Sequence, residues 1–485
     1  MFVITLAFLL IGITAYFLIN HFRFTPIKDE VLRYDILREL DLLEYEDDKA
    51  RPNREDLQRL TSLTHQKNEG EPVKTLKGLQ HATELEELII HYNEIDNLKP
   101  LKSLTKLHTL NLNHLERENA AYTENPENLI KSMEPLENVT SLKRLHLSGY
   151  EIKDFSPLQS LNQLEELYLA NNQLEEIPKS LVELKNLKTL NLTENELKNV
   201  EPIRELTSLE VLHLGINQIQ DFSPLKELTS LKELNMLNSG DLSDLSFLKN
   251  LENLEDLVIS FPKNVDYSPI GLLTKLKHLT ILDSDVERVD FVEQLNNLES
   301  LAILRSNLSS LEGVRHAKSL KKLNVAENHI ESLEPLESLK VLEVLELNDN
   351  EINELEPLEN LTNLIYLKLD QNKIASIDSL ENLTSLISLQ LNNNQLTNID
   401  ALKGLSKLVN LEMDENELTN VDVISNLSRL RILSLRENDI ENYRGLGPLL
   451  NLERLFIKGN PNIILKTSFS LLRYNNDDIY IDVLN

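Results

Sequence analysis

The sequence predicts an α/β solenoid, in which one short unit is repeated to build a parallel β-sheet on one face and short helical turns or extended arcs on the other. Three observations predict it. Apolar residues recur with a 22-residue spacing, an asparagine stands at one fixed place in most repeats, and a proline often stands at another. A small helical cap and one apolar segment precede the repeats.

The first element is an apolar segment at residues 1–20, which contains no charged side chain. Twenty helical residues span about 30 Å, which matches the hydrocarbon core of a bilayer. A cleaved signal peptide normally has a basic start and a small-residue cleavage site, and neither is found here. We therefore expect an uncleaved single-pass transmembrane anchor. Lys and Arg follow it and none precedes it, which favours a cytoplasmic array, with an extracellular one as the open alternative.

The second element, residues 21–62, is predicted to be a juxtamembrane segment and a helical N-terminal cap. Apolar residues have helical spacing between Val31 and Leu40. Asn53 then offers an N-cap to a second helix. A degenerate first repeat follows from Leu63, as expected for a terminal repeat that covers the exposed edge of the core.

The third element is the array, residues 63–473. After the degenerate first repeat it contains seventeen consecutive repeats, the first of which begins at Leu85. A C-terminal cap or tail follows at residues 474–485. Positions are counted as offsets from the first leucine of each repeat, which is offset 0. Leucines at offsets 0, 3 and 5 predict a short strand with the side chains at 3 and 5 pointing inward. Asparagine at offset 8 can bond the backbone of neighbouring coils. Apolar residues at offsets 10, 13, 16 and 19 line the returning arc, and proline at offset 15 suits the start of a helical turn.

Repeats such as "LEVLELNDNEINELEPLENLTN" (342–363) and "LIYLKLDQNKIASIDSLENLTS" (364–385) resemble the leucine-rich repeats of the internalin-type bacterial subclass. They are also similar to the regulatory repeat protein of eukaryotic protein phosphatase 1. The resemblance implies a curved leucine-rich repeat solenoid with the sheet on its concave face, and a non-enzymatic role in binding a protein or peptide. The chain departs from surface-displayed internalins in its N-terminal anchor and in having no C-terminal sorting motif, which argues against an extracellular adhesin.

Composition narrows the possible chemistry. With 49 basic against 79 acidic residues the net charge is −30, which disfavours a nucleic-acid partner because affinity for phosphate chains comes mainly from Lys and Arg. The absence of cysteine excludes disulfides, zinc–cysteine sites and cysteine nucleophiles. No phosphate loop or glycine-flanked serine elbow is found. We therefore expect no catalytic, cofactor or metal site, and a monomeric array.

The candidate binding site comes from the outward positions of the strands, at offsets 4, 6 and 7. These positions are mostly polar, but they become apolar in the middle of the array, at Leu237, Val258, Phe261, Leu282 and Leu304. An apolar patch within a polar rim is typical of a partner site. The same repeats replace the offset-8 asparagine with Ser239, Pro262, Ser284 and Ser306. The alternative is therefore a local irregularity that turns these side chains inward.

Two weaker candidates lie nearer the N-terminus. Ile89, Tyr92, Tyr150 and Tyr168 are either an aromatic-tinged binding surface or isolated surface aromatics. The insertion at residues 115–131 is either a solvated loop or a partner-contacting one. The leading hypothesis is a membrane-anchored leucine-rich repeat scaffold that binds a protein or peptide on its concave face. The alternatives are a non-catalytic regulator of a cytoplasmic enzyme and a surface-exposed, internalin-like adhesin.

Overall fold

The structure is a computed structural model that describes residues 27–43, 51–65, 71–91, 93–113, 130–461 and 480–482. The chain forms two compact units, Met1–Gly240 and Asp241–Asn485. The N-terminal unit holds the helical cap and the first repeats, and the C-terminal unit holds the later repeats. Each is a stack of coils in which one strand and one helical turn alternate.

The cap begins with helix α1, Glu30–Glu39. Its N-cap is Asp29, whose side chain accepts a hydrogen bond from the backbone N–H of Leu32 at 3.0 Å. The second oxygen of the same carboxylate accepts from the N–H of Lys74 at 2.7 Å. One side chain therefore both begins the helix and ties it to the segment that leads into the first strands.

The second cap helix, α2, covers Arg54–Leu57 and begins at Asn53 as predicted. The Asn53 side chain accepts from the N–H groups of Glu55 and Asp56, and the Asp56 carboxylate accepts from the Asn53 N–H at 2.7 Å. This reciprocal pair is a capping box, which satisfies donors that have no partner within so short a helix.

The strands of the N-terminal unit pair in parallel, each with the next along the chain. They are β1 Ser62–His65, β2 Glu87–Ile90, β3 Thr109–Asn111, β4 Arg144–His146, β5 Glu166–Tyr168, β6 Thr189–Asn191, β7 Val211–His213 and β8 Glu233–Met236. Residues at equal offsets face each other, for example Leu167 and Leu190. The 22-residue period therefore sets the register directly.

The C-terminal unit repeats this arrangement in parallel pairs. Its strands are β9 Asp256–Ser260, β10 His278–Leu282, β11 Ser300–Leu304, β12 Lys322–Asn324, β13 Val344–Glu346, β14 Tyr366–Lys368, β15 Ser388–Gln390, β16 Asn410–Glu412, β17 Ile432–Ser434, β18 Arg454–Phe456 and β19 Tyr480–Asp482. Strands β9 to β11 have five residues each, whereas β12 to β19 have three. The sheet is thus wider at the first three strands of this unit.

The core lies between the sheet and the returning arcs. In the repeat that begins at Leu342, the side chains of Leu345 and Leu347 are fully buried. Glu346, which lies between them, and Asn348, which follows them, are partly exposed. Ile352 and Leu358 close the arc and are also fully buried. The predicted alternation of the strand and the predicted apolar offsets of the arc are confirmed.

Asparagines at offset 8 form a ladder that joins successive coils. The Nδ2 of Asn350 donates to the carbonyl oxygens of Leu347 at 3.1 Å and of Val325, in the preceding repeat, at 2.9 Å. Its Oδ1 accepts from the N–H of Ile330 at 2.9 Å. One buried amide therefore satisfies backbone groups where the chain leaves the strand, as the sequence predicted.

The arcs carry short 3₁₀ turns on the side opposite the sheet. In the N-terminal unit they are Leu79–His81, Lys99–Ser103, Glu134–Asn138, Ser156–Ser160, Lys179–Glu183, Glu201–Glu205 and Ser223–Glu227. In the C-terminal unit they are Ser246–Asn250, Ser268–Leu272, Asp290–Gln294, Glu312–His316, Glu334–Leu336, Glu356–Leu358, Asp378–Leu380, Asp400–Gly404, Asp422–Asn426 and Arg444–Leu446. Proline at offset 15 occupies the first turn of eight of them, where no amide donor is needed.

The predicted transmembrane segment, residues 1–20, lies outside the described residues, as do Tyr92 and most of the insertion at 115–131. Among the residues that are described, no helix is both long and apolar enough to cross a bilayer.

Candidate functional site

The outward face of the sheet in the C-terminal unit carries four of the five predicted patch residues. Val258, Leu282 and Leu304 are partly exposed, and the side chain of Phe261 is 45% exposed. Their neighbours on the strands, such as Ile259, are fully buried. The four side chains therefore face away from the core, and the alternative that they turn inward does not apply.

The backbone beneath this patch stays in register although the ladder asparagine is missing. His278 to Leu282 pair with Asp256 to Ser260, and also with Ser300 to Leu304. In a regular repeat, the carbonyl at offset 5 accepts from the asparagine of the next coil. With Ser284 and Ser306 there instead, the parallel ladder continues through offset 6. The strands that carry Val258, Leu282 and Leu304 are therefore longer where Ser284 and Ser306 replace the asparagine.

Phe261 stands at offset 7 in a left-handed backbone conformation, with φ of 57°. Its N–H donates to the carbonyl oxygen of Leu282 at 2.9 Å, which places the two side chains of the patch on adjacent coils. Other repeats have Asp349, Asn393 or Gly459 at this offset, residue types that adopt positive φ more readily. A large aromatic side chain is thus held at a position that local backbone energetics disfavour.

Polar groups border the patch. The Arg305 guanidinium donates to both oxygens of Asp283 at 2.8 and 3.1 Å, and these bonds hold the pKa of the Asp283 carboxyl below its usual range. The hydroxyl of Tyr267 donates to Oδ1 of Asp285 at 3.0 Å, and the Tyr267 ring stacks on that of Phe291. Burial raises the pKa of Tyr267, so this hydroxyl stays protonated at neutral pH.

The fifth predicted residue, Leu237, lies in the N-terminal unit, partly exposed on the outward face. Its carbonyl oxygen accepts from the N–H of Ile216, whose side chain is 45% exposed at φ of 53°. Ile216 and Leu237 therefore repeat, within the N-terminal unit, the geometry of Phe261 and Leu282 in the C-terminal unit. Ile216 was not among the residues predicted from the sequence, although its offset, 7, is the offset of Phe261.

The weaker surface near the N-terminus is only partly as predicted. Ile89 and Tyr168 are partly exposed, and the Tyr168 ring lies against that of His146 with centroids 4.1 Å apart. Tyr150 was predicted on this surface, and that prediction is wrong. Its side chain is 1% exposed, and its hydroxyl donates to Oδ1 of Asn93 at 3.1 Å and to the carbonyl of Leu112.

The burial of Tyr150 has a simple cause. Tyr150 stands at offset 8 of the repeat that begins at Leu142, which is the ladder position. Its hydroxyl reaches backbone and ladder groups as an asparagine amide would, so the ring is directed inward. The offset alone was enough to show this.

Within the described ranges, no cluster of three or more His, Asp or Glu side chains is arranged to hold a metal ion. The histidines on the strands lie instead beside carboxylates of neighbouring coils. Nε2 of His213, for example, is 2.7 Å from Oε1 of Glu233.

Sequence profiles described as "Leucine rich repeat" match residues 162–219, and profiles described as "Leucine Rich repeats (2 copies)" match residues 207–250, 318–360 and 362–404. These matches fall on the coils with the strand, ladder and turn described above. The chain is a leucine-rich repeat protein. A comparison with curated protein sequences gave no significant match.

Solved structures of leucine-rich repeat proteins are similar to it. A leucine-rich repeat protein of Leptospira interrogans is 25% identical, with a TM-score of 0.71, over 80% of this chain and 98% of that one. The functional domain of InlJ from Listeria monocytogenes, an internalin-like neighbour, is 21% identical with a TM-score of 0.62, over 82% and 80%. InlJ includes a cysteine ladder, whereas this leucine-rich repeat protein has no cysteine and stacks asparagines.

A third neighbour is the leucine-rich repeat ectodomain of a plant membrane receptor kinase from Arabidopsis thaliana, in complex with Casparian strip integrity factor 2. It is 22% identical, with a TM-score of 0.62, over 85% of this chain and 52% of the receptor. This chain thus spans about half of that ectodomain. At this identity the likeness shows the fold alone.

Proposed function

We propose that this leucine-rich repeat protein is a non-catalytic, membrane-anchored scaffold that binds a protein or peptide on the sheet face predicted to be concave. The observation that carries the proposal is that the Phe261 side chain projects outward beside Leu282. Its backbone has a positive φ, which an aromatic residue rarely adopts. Positive φ at offset 7 recurs along the array, so it is the exposed aromatic side chain at this offset, next to a second apolar side chain, that supports a partner site.

The chemistry of the patch supports an apolar anchor on the partner. Val258, Leu282 and Leu304 lie on three neighbouring strands, and Phe261 directly follows the first of them. The Asp283–Arg305 ion pair borders these side chains. Interfaces have this anatomy, with an apolar centre that loses water and a polar rim that stays solvated. The plant receptor complex supports the proposal in class, because that leucine-rich repeat ectodomain is in complex with another factor, Casparian strip integrity factor 2.

The experiment uses peptides selected from a random display library on the full-length chain. In the double variant Phe261→Glu and Leu282→Glu, we expect their affinity to fall at least about tenfold, because a disrupted central side chain costs about 2 kcal/mol or more. Affinities are measured by titration calorimetry, and circular dichroism checks that the array stays folded.

The matched control is Leu450→Glu, since Leu450 is 56% exposed beside a 3₁₀ turn and outside the patch. It should leave the affinity unchanged. The proposal fails if the selected peptides bind the double variant as tightly as the original chain.

We also propose that residues 1–20 anchor the chain and that the array lies in the cytoplasm. Support comes from the charge-free apolar segment and the Lys and Arg residues that follow it. A cytoplasmic array would suit a regulator of an intracellular enzyme, whereas an external array would suit an adhesin.

Topology is tested by fusing a reporter to the C-terminus and adding protease to intact cells. A cytoplasmic array predicts that the reporter survives until the membrane is permeabilised. Digestion of the reporter in intact cells would overturn the cytoplasmic assignment and favour the adhesin.

A further inference from the structure

A charged ladder runs along the start of the strands in the C-terminal unit, at offset 1. Acidic and basic side chains alternate there and pair between adjacent coils. Lys277 binds Glu255 at 2.6 Å, and Lys321 binds Glu299 at 2.8 Å. Each bond joins exposed side chains, so the ladder keeps the rim of the sheet polar.

Three consecutive repeats interrupt this ladder with aliphatic side chains, Ile365, Ile387 and Val409. Ile365 and Ile387 are 39% and 44% exposed, and Val409 is partly exposed. The N–H of Ile387 donates to the carbonyl of Ile365, and the N–H of Val409 donates to that of Ile387, both at 2.8 Å. The three side chains therefore stand side by side as an apolar stripe.

The two ends of the stripe carry opposite charges. Glu343 precedes Ile365 at the same offset and is exposed. Arg431 follows Val409, and its Nε donates to Oε1 of Glu453 at 2.7 Å. Read along the coils, offset 1 therefore runs from one negative charge through three aliphatic residues to one positive charge.

If this series of side chains is reversed and placed opposite itself, each charge meets an opposite charge and each aliphatic side chain meets an aliphatic one. If two copies meet about a two-fold axis through Ile387, Ile365 of one copy faces Val409 of the other. Glu343 of each copy then faces Arg431 of the other. Two-fold interfaces require this kind of self-complementary surface.

We propose that the stripe of Glu343, Ile365, Ile387, Val409 and Arg431 is the centre of a two-fold contact between two copies of this chain. The proposal replaces the monomeric array expected from the sequence, and it does not depend on the binding patch of the proposed function. Stable interfaces bury on the order of 1,600 Å² in total, and the stripe supplies only part of that area. The dimer is therefore concentration-dependent.

Site-specific cross-linking tests the contact. Because the chain has no cysteine, Ile387→Cys introduces a single thiol, placed on the two-fold axis. Facing layers lie about 10 Å apart, so a short bis-maleimide spans the axis where a disulfide would not. The full-length chain, held in mild detergent, should give a covalent dimer with Ile387→Cys.

The matched control is Lys277→Cys, at the same offset within the charged ladder. We expect its dimer yield to be at least about tenfold lower, which corresponds to 1.4 kcal/mol in contact free energy. The anchor segment is identical in both variants and adds equally to both yields. Equal yields would overturn the proposal and leave the stripe as a cross-strand contact within one chain.

Charge reversal gives a second readout, by sedimentation velocity over a range of concentrations. Glu343→Arg alone, or Arg431→Glu alone, places like charges opposite each other twice and should weaken dimerisation about tenfold. Combining both changes restores opposite charges and should recover dimerisation. The proposal fails if the original chain stays monomeric throughout, or if the combined variant is as weak as either single variant.

Discussion

At the scale of residues, two offsets determine how each coil leaves its strand. Offset 7 adopts positive φ in repeat after repeat, and offset 8 turns an amide into the core. Most repeats fill offset 7 with Asn, Asp, Glu, Gln or Gly, whereas Ile216 and Phe261 are exposed apolar exceptions. A left-handed conformation costs a non-glycine residue about 1–2 kcal/mol, so these two residues act against local stability.

The ladder makes a direct prediction at this scale. Asn350→Ala should lower the free energy of unfolding by about 1–3 kcal/mol, because buried carbonyls and the N–H of Ile330 lose their partner. Urea unfolding followed by circular dichroism measures the change.

Asn363→Ala is the matched control. The Nδ2 of Asn363 donates to one exposed carbonyl, that of Lys340, at 2.7 Å. Water can replace that bond, so the change should stay within about 0.5 kcal/mol. Similar losses in the two variants would mean that the buried ladder is not a main source of stability.

At the scale of elements, strand length follows from the same amide. Where Asn350 is present, its Nδ2 takes the carbonyl of Val325, and the strands end after three residues. Where Ser284 and Ser306 stand at offset 8, the parallel ladder that joins β9, β10 and β11 extends through offset 6, and these strands run for five residues. The repeats that appear degenerate in sequence therefore form the widest part of the C-terminal unit's sheet, and this part carries the patch.

At the scale of the whole molecule, stability should depend on pH through a half-buried histidine, His146, on the outward face of the N-terminal unit. Burial, with the neighbouring Arg144 charge acting in the same direction, lowers the pKa of His146 to about 4. In the unfolded chain the imidazole has its ordinary pKa of about 6.5. As pH falls from 6.5 toward 4, the unfolded chain therefore binds a proton that the folded chain does not, and stability decreases.

His146→Asn should reduce this loss of stability between pH 7 and pH 5. Asparagine already occupies the same offset at Asn111 and Asn191, so the fold accommodates it. Urea unfolding at both pH values measures the effect, and His278→Asn, at an exposed position, is the control. An unchanged pH dependence in His146→Asn would show that this histidine does not couple protonation to folding.

Much of the fold was predictable because the environment of each offset is nearly the same in every repeat. The inward leucines, the asparagine ladder, the prolines at the turns and the N-cap Asn53 all follow from local spacing. Tyr150 was wrongly predicted to lie on the surface because the prediction used its residue type and ignored its position at the ladder offset. The binding role of the patch and the anchor at residues 1–20 stay predictions.

The sequence by itself determined the repeat register and the core, since a 22-residue period leaves one way to bury the leucines of stacked coils. Only the tertiary structure decided how a repeat behaves when it departs from the pattern. Whether the parallel ladder between β9, β10 and β11 extends through offset 6 depends on which backbone group takes the carbonyl that the missing asparagine leaves available. That choice is made between adjacent coils, by contacts that spacing along the chain does not contain.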